Sequence, residues 1–239
     1  MSVFRYQFVR AAGRIIAATL LGMLGLMAIS SATMYLQDQP DSFLSNQWTV
    51  GIAGELAMLV CAFLLILLVS RGRISLYGFK VARDLTWGRV VLLGLGLGVL
   101  MSAVGLLLAP DKHPSMQDFS FLQTVVIIWI GASIAEEVLT RGLVQSFLAP
   151  LQKHGISVAG IRISLPVLVA ALFFGLMHTG LLAIGASGSL VALIVVFAFF
   201  VGLVAGYYRE KTGSLIPAIV VHVMANVGGS GIDYLLELF

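Results

Sequence analysis

The sequence predicts an all-α, polytopic membrane protein built as a bundle of about seven transmembrane helices. Of its 239 residues, 59% are hydrophobic and only 10% are charged, whereas soluble domains contain about 25% charged residues. The apolar residues occur in runs close to the ~18 to 20 residues that cross a ~30 Å hydrocarbon core. The basic residues lie in alternate connections between these runs, as expected for a chain that crosses a membrane repeatedly.

Seven apolar runs are candidates for the membrane helices. They occupy residues 15–36, 49–70, 88–109, 120–148, 164–183, 187–208 and 213–229. The first run follows several arginines, as in a signal peptide, but its roughly 22 apolar residues exceed the 7 to 15 of a cleavable peptide, so we expect a retained signal anchor. The last run, of about 17 residues, rises only ~25 Å. The tail "IDYLLELF" behind it either extends this helix or forms a short eighth one.

Basic residues collect in every second connection between the runs. They are Arg5, Arg10 and Arg14 before the first run, Arg71, Arg73, Lys80, Arg83 and Arg89 after the second, Lys153 and Arg162 after the fourth, and Arg209 and Lys211 after the sixth. In the other connections, Lys112 is the only basic residue. Because Lys and Arg favour the cytoplasmic side, we expect a cytoplasmic N-terminus and an outside C-terminus, in the plasma or inner membrane if the cell is bacterial. This bias accounts for the net charge of +3, so we expect no nucleic-acid partner.

The polar residues divide the chain into two parts. Residues 1–119 contain the first three helices, whose one acidic residue, Glu55, is expected to reach the interface, pair with Arg141 or line a substrate cavity. Residues 120–239 contain the intramembrane His and Arg residues and the paired glutamates, and form the predicted catalytic core. Glycines four apart in "GLGLG" (94–98) and "GLVAG" (202–206) indicate close helix packing, because a dinucleotide-binding loop needs a strand before it.

The segment "EEVLTR" at 136–141 places three charged side chains inside the fourth apolar run. Each such charge costs about 2.5 to 3.5 kcal/mol in a membrane helix, so charges that persist usually face a bundle interior. Glu137 and Arg141 are four residues apart and share a helix face, which predicts an ion pair. Glu136 points about 100° away from Glu137. It therefore needs a partner from another helix.

Two later helices offer polar partners at a similar depth. The fifth carries Phe174 and His178, and the seventh carries His222 and Asn226, each pair four residues apart. At 1.5 Å per residue, Glu136 and these polar groups lie about 14 to 21 Å from the cytoplasmic helix ends. A single membrane His is more often a packing residue. Three such groups in one layer instead predict a polar site.

Two chemistries suit such a site. A buried carboxylate beside an imidazole can take a proton from water and pass it to a leaving amine, while a second His and an Asn amide donate to the oxyanion. Alternatively, Glu136, His178 and His222 could bind a zinc ion whose water attacks the peptide. The sequence leaves both open. It contains neither a nucleophile-elbow serine nor a His-Glu-x-x-His helix, which disfavours serine and zincin mechanisms.

The three motifs in order resemble the CPBP intramembrane protease family. This family includes the type II CAAX prenyl endopeptidases and bacteriocin-processing or bacteriocin-immunity (ABI) proteins, and has Glu-Glu-x-x-x-Arg, Phe-x-x-x-His and His-x-x-x-Asn on successive core helices. The chain has "EEVLTR" at 136–141, "FGLMH" at 174–178 and "HVMAN" at 222–226. The resemblance covers roughly residues 120–229. One motif alone would be weak, but three in order are specific.

The resemblance implies an intramembrane endopeptidase and assigns roles to the motif residues. Water activation falls to Glu136 and His178, oxyanion donation to His222 and Asn226, and support of the site to Glu137, Arg141 and Phe174. The family is often described as metalloproteases, while a metal-free glutamate mechanism is also proposed for it. We favour the metal-free form, with no cofactor, and keep zinc on Glu136, His178 and His222 as the alternative.

The implied partner is a membrane-associated peptide or protein, of prenylated CAAX type or bacteriocin type. Two other functions stay open at this point. A non-catalytic immunity or scaffold protein could keep the same fold, and a proton-coupled transporter could use the same Glu and His residues to relay protons. The sequence lacks the paired, interrupted helices typical of transporters, which disfavours the second.

Overall fold

The structure, a computed structural model, describes residues 2–82, 85–108 and 118–236. Arg83 and Lys112, two of the basic residues used to predict the topology, lie outside these ranges. The main helices are α1 (Ser2–Gln37), α2 (Gln47–Ser70), α3 (Trp87–Leu108), α4 (Phe121–Gln145), α5 (Leu165–Met177), α6 (Gly188–Thr212) and α7 (Ile216–Leu236). The predicted all-α bundle of about seven membrane helices is confirmed.

Six of these helices are long and apolar enough to cross a membrane. The fifth of them includes a 3-10 turn, His178–Ile184, that continues α5. The apolar part of α7 is shorter, Ile216–Gly231. As far as the structure describes the C-terminal tail, it extends α7 to Leu236 and forms no separate eighth helix.

Local signals fix where the helices begin. The side chains of Asn46, Ser164 and Ser187 each accept a hydrogen bond from a backbone N–H in the first turn of α2, α5 and α6, which satisfies donors that have no partner within the helix. A capping box of Ser120 and Gln123 opens α4 in the same way. The helix boundaries therefore follow from the polar residues between the apolar runs.

Helix α4 lies at the centre of the bundle. Its C-terminal part, Val138–Gln145, is buried along its whole length and contacts α1, α2, α5 and α6. Two stretches of α4, Thr124–Ala132 and Val138–Gln145, are π-helical, and the short α-helical segment Ser133–Glu137 lies between them. Wide π turns are frequent at functional sites. Here they flank the two glutamates.

Helix α3 packs closely against α7 through glycines. A Cβ atom on Gly94 would lie 2.5 Å from the carbonyl oxygen of Val221, and one on Gly98 would lie 2.1 Å from that of Ala225. The segment "GLGLG" is in the middle of α3, and no strand precedes it among the residues that the structure describes, so the packing interpretation is confirmed. Because α7 carries His222 and Asn226, this contact sets the position of two site residues.

One prediction about a connection is wrong. Arg209 and Lys211 do not lie in a loop, because α6 continues to Thr212 and ends at Gly213, whose φ of 69° gives the left-handed cap that glycine favours. Basic residues in the last turn also suit the negative end of the helix dipole. Arg209 is buried and donates from Nη2 to the Leu76 carbonyl (3.1 Å) and to Ser146 Oγ (2.9 Å).

The connection between α4 and α5 also contains a β-hairpin, which the pattern of apolar runs in the sequence did not predict. Strand β1 (Gly155–Val158) pairs antiparallel with β2 (Ile161–Ser164). The turn residues Ala159 and Gly160 have φ of 49° and 78°, the backbone that a two-residue type I′ turn requires. Lys153 precedes β1, and Arg162 lies in β2.

The packing of α3 on α7 can be tested within one motif. We expect Gly98→Ala to lower the free energy of unfolding by about 1 to 3 kcal/mol, because the added methyl group meets backbone atoms that cannot yield easily. The control is Gly96→Ala, since a Cβ there meets nothing within 4 Å. That change should be neutral or stabilising, because alanine favours helix by about 1 kcal/mol over glycine. Equal thermal unfolding of the two purified variants in detergent would contradict the close contact.

Candidate functional site

An ion pair within α4 forms the base of the site. Glu137 Oε1 accepts a hydrogen bond from Arg141 Nη1 at 2.8 Å, and both side chains are 0% exposed. Arg141 also donates to Thr140 Oγ1 at 2.5 Å, and its guanidinium carbon lies 4.4 Å from the centre of the Phe174 ring. A buried guanidinium is tolerated only when such partners replace water.

Gly202 of α6 leaves room for the guanidinium of Arg141. A Cβ atom at Gly202 would lie 2.9 Å from Arg141 Nη2 and 3.0 Å from the Cα atom of Ala171. The close approach of α6 to α4 and α5 thus depends on the absence of a side chain. The "GLVAG" motif is part of the packing, as the sequence indicated.

His222 of α7 joins the two glutamates. Its Nδ1 lies 3.1 Å from Glu137 Oε1. Because that carboxylate is an acceptor, Nδ1 must carry the hydrogen, and in the neutral ring Nε2 then keeps its lone pair. Nε2 lies 3.7 Å from Glu136 Oε2, which is too long for a hydrogen bond. The carboxylate and the imidazole nitrogen therefore face each other across a short gap.

Phe174 and His178 bring α5 into the site. The Phe174 ring meets His178 at 5.2 Å and His222 at 5.1 Å between centroids, with interplanar angles of 88° and 77°. His178 Nδ1 donates to the Phe174 carbonyl at 2.8 Å, so in the neutral ring the lone pair is on Nε2. Phe174 thus separates the two imidazoles and holds both edge to face.

Asn226 lies one turn beyond His222 on α7 and contacts α4. Its Nδ2 donates to Ser133 Oγ at 3.1 Å and to the Ile128 carbonyl at 3.3 Å. The amide nitrogen has two hydrogens, and both are used in this way. Donation from Asn226 to a reaction oxyanion would require one of these bonds to be given up.

Sequence reasoning missed two hydroxyl residues of the site, Ser133 and Thr140. Both are fully buried, and Thr140 Oγ1 also donates to the carbonyl of Glu136 at 2.6 Å. Hydroxyl groups in membrane helices commonly bond to their own backbone, so neither stood out alone. The available signal was spacing, since positions 133, 136, 137 and 140 follow the i, i+3, i+4, i+7 pattern of one helix face.

Glu55 of α2 is a third carboxylate near the site. Its Oε2 is buried and has no hydrogen-bond partner among the described residues. A Cβ atom at Gly131 would lie 3.6 Å from Glu55 Cγ, so a glycine of α4 admits the side chain. Within the described structure, Arg141 is hydrogen-bonded to Glu137 and Thr140 and not to Glu55.

The arrangement does not match the zinc alternative. In the part of the chain that the structure describes, no three His, Cys, Asp or Glu side chains are placed to hold a metal ion. Within the described residues, Glu136 Oε2 and His222 Nε2 lie 3.7 Å apart. The choice between a metal-free and a zinc-dependent reaction stays a prediction.

The coupling free energy between Glu137 and Arg141 can be measured. We expect Arg141→Met to cost about 3 to 5 kcal/mol of unfolding free energy, because it leaves Glu137 buried without its counter-charge. The double variant Arg141→Met, Glu137→Gln should lose less unfolding free energy than the sum of the losses in the two single variants. Equilibrium unfolding in mixed micelles would show this difference. Arg89→Met, at an exposed position of α3, serves as the control and should change stability by no more than about 0.5 kcal/mol. Strict additivity of the two site changes would contradict the pairing.

Comparison with known proteins adds one finding. Residues 118–228 match the family described as type II CAAX prenyl endopeptidase, Rce1-like. The matched segment contains all three motifs, from Glu136 to Asn226. No curated protein and no solved structure matches the chain.

The resemblance that the three motifs indicated is therefore confirmed by a match over the helices that form the site. Residues 118–228 are similar to the Rce1-like family of type II CAAX prenyl endopeptidases, which are intramembrane proteases.

Proposed function

We propose that this protein is an intramembrane endopeptidase that hydrolyses a peptide bond of a membrane-associated peptide or protein with water activated by Glu136 and histidine. The observation that carries the proposal is the approach of Glu136 Oε2 to His222 Nε2 at 3.7 Å, with His222 held from behind by Glu137. Glu137 thus orients the imidazole that faces the proposed base Glu136, and side chains held in place by further fixed groups are typical of hydrolytic sites.

The hydrogen bonds of His178 and His222 support the different roles proposed for the two residues. His178 donates from Nδ1 to a carbonyl oxygen, so its Nε2 can accept a proton. The attacking water would give up a proton to Glu136 or His178 as its oxygen adds to the peptide carbonyl. When the C–N bond breaks, the same proton would pass to the amine that leaves. Both acceptors are then restored for another cycle.

Stabilisation of the oxyanion is assigned to His222 and Asn226. With Nδ1 donating to Glu137, His222 can donate from Nε2 only while Nε2 holds a proton. That proton would be the one that Glu136, which faces Nε2, takes from the water, and His222 would return it through Glu136 to the leaving amine when the C–N bond breaks. We infer that Asn226 joins it by exchanging its bond to Ser133 for one to the oxyanion. A donor of this kind lowers the barrier by roughly 3 to 4 kcal/mol in other hydrolases.

The substrate proposed is a chain of prenylated CAAX type or bacteriocin type. The proposal also places the N-terminus in the cytoplasm and the C-terminus outside, and opens the site toward the cytoplasm. The excess of Lys and Arg at that end of the helices supports this orientation. Attachment of a reporter enzyme to each terminus would test it directly.

We expect Glu136→Gln to reduce proteolysis by about 100-fold or more, because removal of a general base commonly costs 10² to 10⁴ in rate. The measurement is a comparison of new peptide termini in membrane fractions from cells that make either variant. Glu210→Gln is the matched control, since Glu210 accepts a hydrogen bond from Ser164, away from the site, and should leave cleavage intact.

Three outcomes would contradict this proposal. Identical termini in cells with wild-type and Glu136→Gln protein, at equal protein levels in the membrane, would exclude glutamate-dependent cleavage. A protective or partner-binding phenotype that survives Glu136→Gln would favour the non-catalytic immunity or scaffold function instead. Counterflow of a labelled ion in liposomes would favour a transporter.

The metal-free form makes a separate prediction. We expect a purified preparation to cleave a peptide found in those membrane fractions equally well before and after treatment with a zinc chelator. Elemental analysis should show no zinc in proportion to protein. Loss of cleavage that zinc restores would instead favour a zinc ion on Glu136, His178 and His222.

A further inference from the structure

The hairpin between α4 and α5 has one apolar face. Its register pairs Ile156 with Ile163 and Val158 with Ile161. Directly paired residues of an antiparallel ladder project to the same side, and every second residue shares that side. These four β-branched residues are called the apolar face below. The opposite side carries Gly155, Ser157, Arg162 and Ser164.

Three of the four residues of the apolar face are exposed, and the fourth, Ile163, is partly buried. Ile156 is 50% exposed, Val158 53% and Ile161 51%. Most hairpins with such a pattern bury the apolar side on a core, and a two-stranded hairpin in water is marginally stable at best. The alternation of apolar and polar residues in this hairpin therefore indicates that an apolar surface outside the described chain covers its apolar face.

The connections keep the hairpin at the end of the helix bundle. Strand β2 ends at Ser164, which is also the N-cap of α5, and β1 follows α4 after a short 3-10 turn, Ala149–Leu151. Both helices are long and apolar enough to cross the membrane. Strands of four residues extend only about 13 Å. The hairpin thus has little reach away from the bilayer surface.

The charges around the hairpin suit phospholipid headgroups. Lys153 and Arg162 are its basic residues, and the sequence contains no Asp or Glu between Arg141 and Glu210. Arg162 is on the polar side, where its Nη2 donates to the carbonyls of Gln152 (3.1 Å) and Lys153 (2.7 Å). One acid from α6, Glu210, accepts a hydrogen bond from Ser164 at the end of β2. The hairpin itself carries apolar residues on one side and a cation without an acid on the other, a pattern typical of segments that lie in a membrane interface.

We propose that the hairpin lies in the interface of the leaflet at this end of the bundle, with its apolar face against lipid. The occupant of the exposed surface is then phospholipid, and the hairpin anchors the start of α5. His178 lies about 21 Å along the helix axis from Ser164 at 1.5 Å per residue. Anchoring of Ser164 would therefore fix the depth of His178 below the headgroups.

Spin labels on the two sides of β1 test this proposal without a substrate. The chain has one cysteine, Cys61, so Cys61→Ala provides the background for Val158→Cys on the apolar face and Ser157→Cys on the polar side. Both labelled proteins are placed in nanodiscs of phosphatidylcholine and phosphatidylglycerol. Collision with oxygen reports lipid, and collision with a water-soluble nickel complex reports water.

We expect the ratio of oxygen to nickel collisions to be several-fold higher for the label at 158 than for the label at 157, with the former about 5 to 10 Å below the headgroup boundary. Equal ratios at the two positions would overturn the proposal. Protection of the label at 158 from both reagents would also overturn it, because a protein surface, such as a second copy of the chain, would then cover the face. Ile161→Cys and Arg162→Cys repeat the comparison on β2 if a β1 variant does not fold.

Discussion

Burial of the Arg141 guanidinium is the constraint on which the structure of the site depends. A guanidinium cannot lose its charge, so the surrounding helices must supply what water would have supplied. Helix α4 supplies Glu137 and Thr140, α5 supplies the face of the Phe174 ring, and α6 supplies the space at Gly202. The same carboxylate oxygen then binds His222 of α7. One cation thereby ties four helices together and sets which nitrogen of His222 carries hydrogen.

The first three helices contribute to this site although they lie outside the segment that matches the family. Helix α3 fixes the approach of α7 through glycines, and α2 places Glu55 beside Gly131 of α4. Helix α1 packs on α4 at Gly25, where a Cβ atom would meet Leu139 at 2.5 Å. The geometry around Glu136 therefore depends on helices from both sides of the division at residues 119 and 120.

The sequence was informative where one physical rule dominates. Apolar runs gave seven helices because the bilayer sets their length, and the spacing of Glu137 and Arg141 gave their ion pair because one helix face holds both. Contacts between distant segments were less accessible. The bond from Asn226 to Ser133 and the 3.7 Å approach of Glu136 to His222 depend on how α7 meets α4. No local pattern encodes that. The roles of these residues in catalysis remain predictions.

The structure differs from the sequence-based prediction at two places, because the hydropathy pattern does not detect the features that form them. Helix α6 runs past its apolar segment because Gly213 ends it and Arg209 finds partners in Leu76 and Ser146. The hairpin alternates apolar and polar residues with a period of two, which a search for long apolar runs passes over. Its "SVAGIRI" segment nevertheless contains the β-branched residues and the turn glycine of a hairpin.

The glycine opposite Arg141 has a consequence for how relatives of this chain diverge. Any side chain at position 202 would meet the guanidinium and the backbone of Ala171, so the arginine at position 141 restricts position 202 to glycine. Among homologues that keep an arginine at 141, we expect a glycine at 202. Homologues that lose the arginine should be released from this requirement. Gly202 would then act as a fourth element of the family signature, one that is visible in sequence alignments as a correlated pair and that marks the chains in which the charged site is intact.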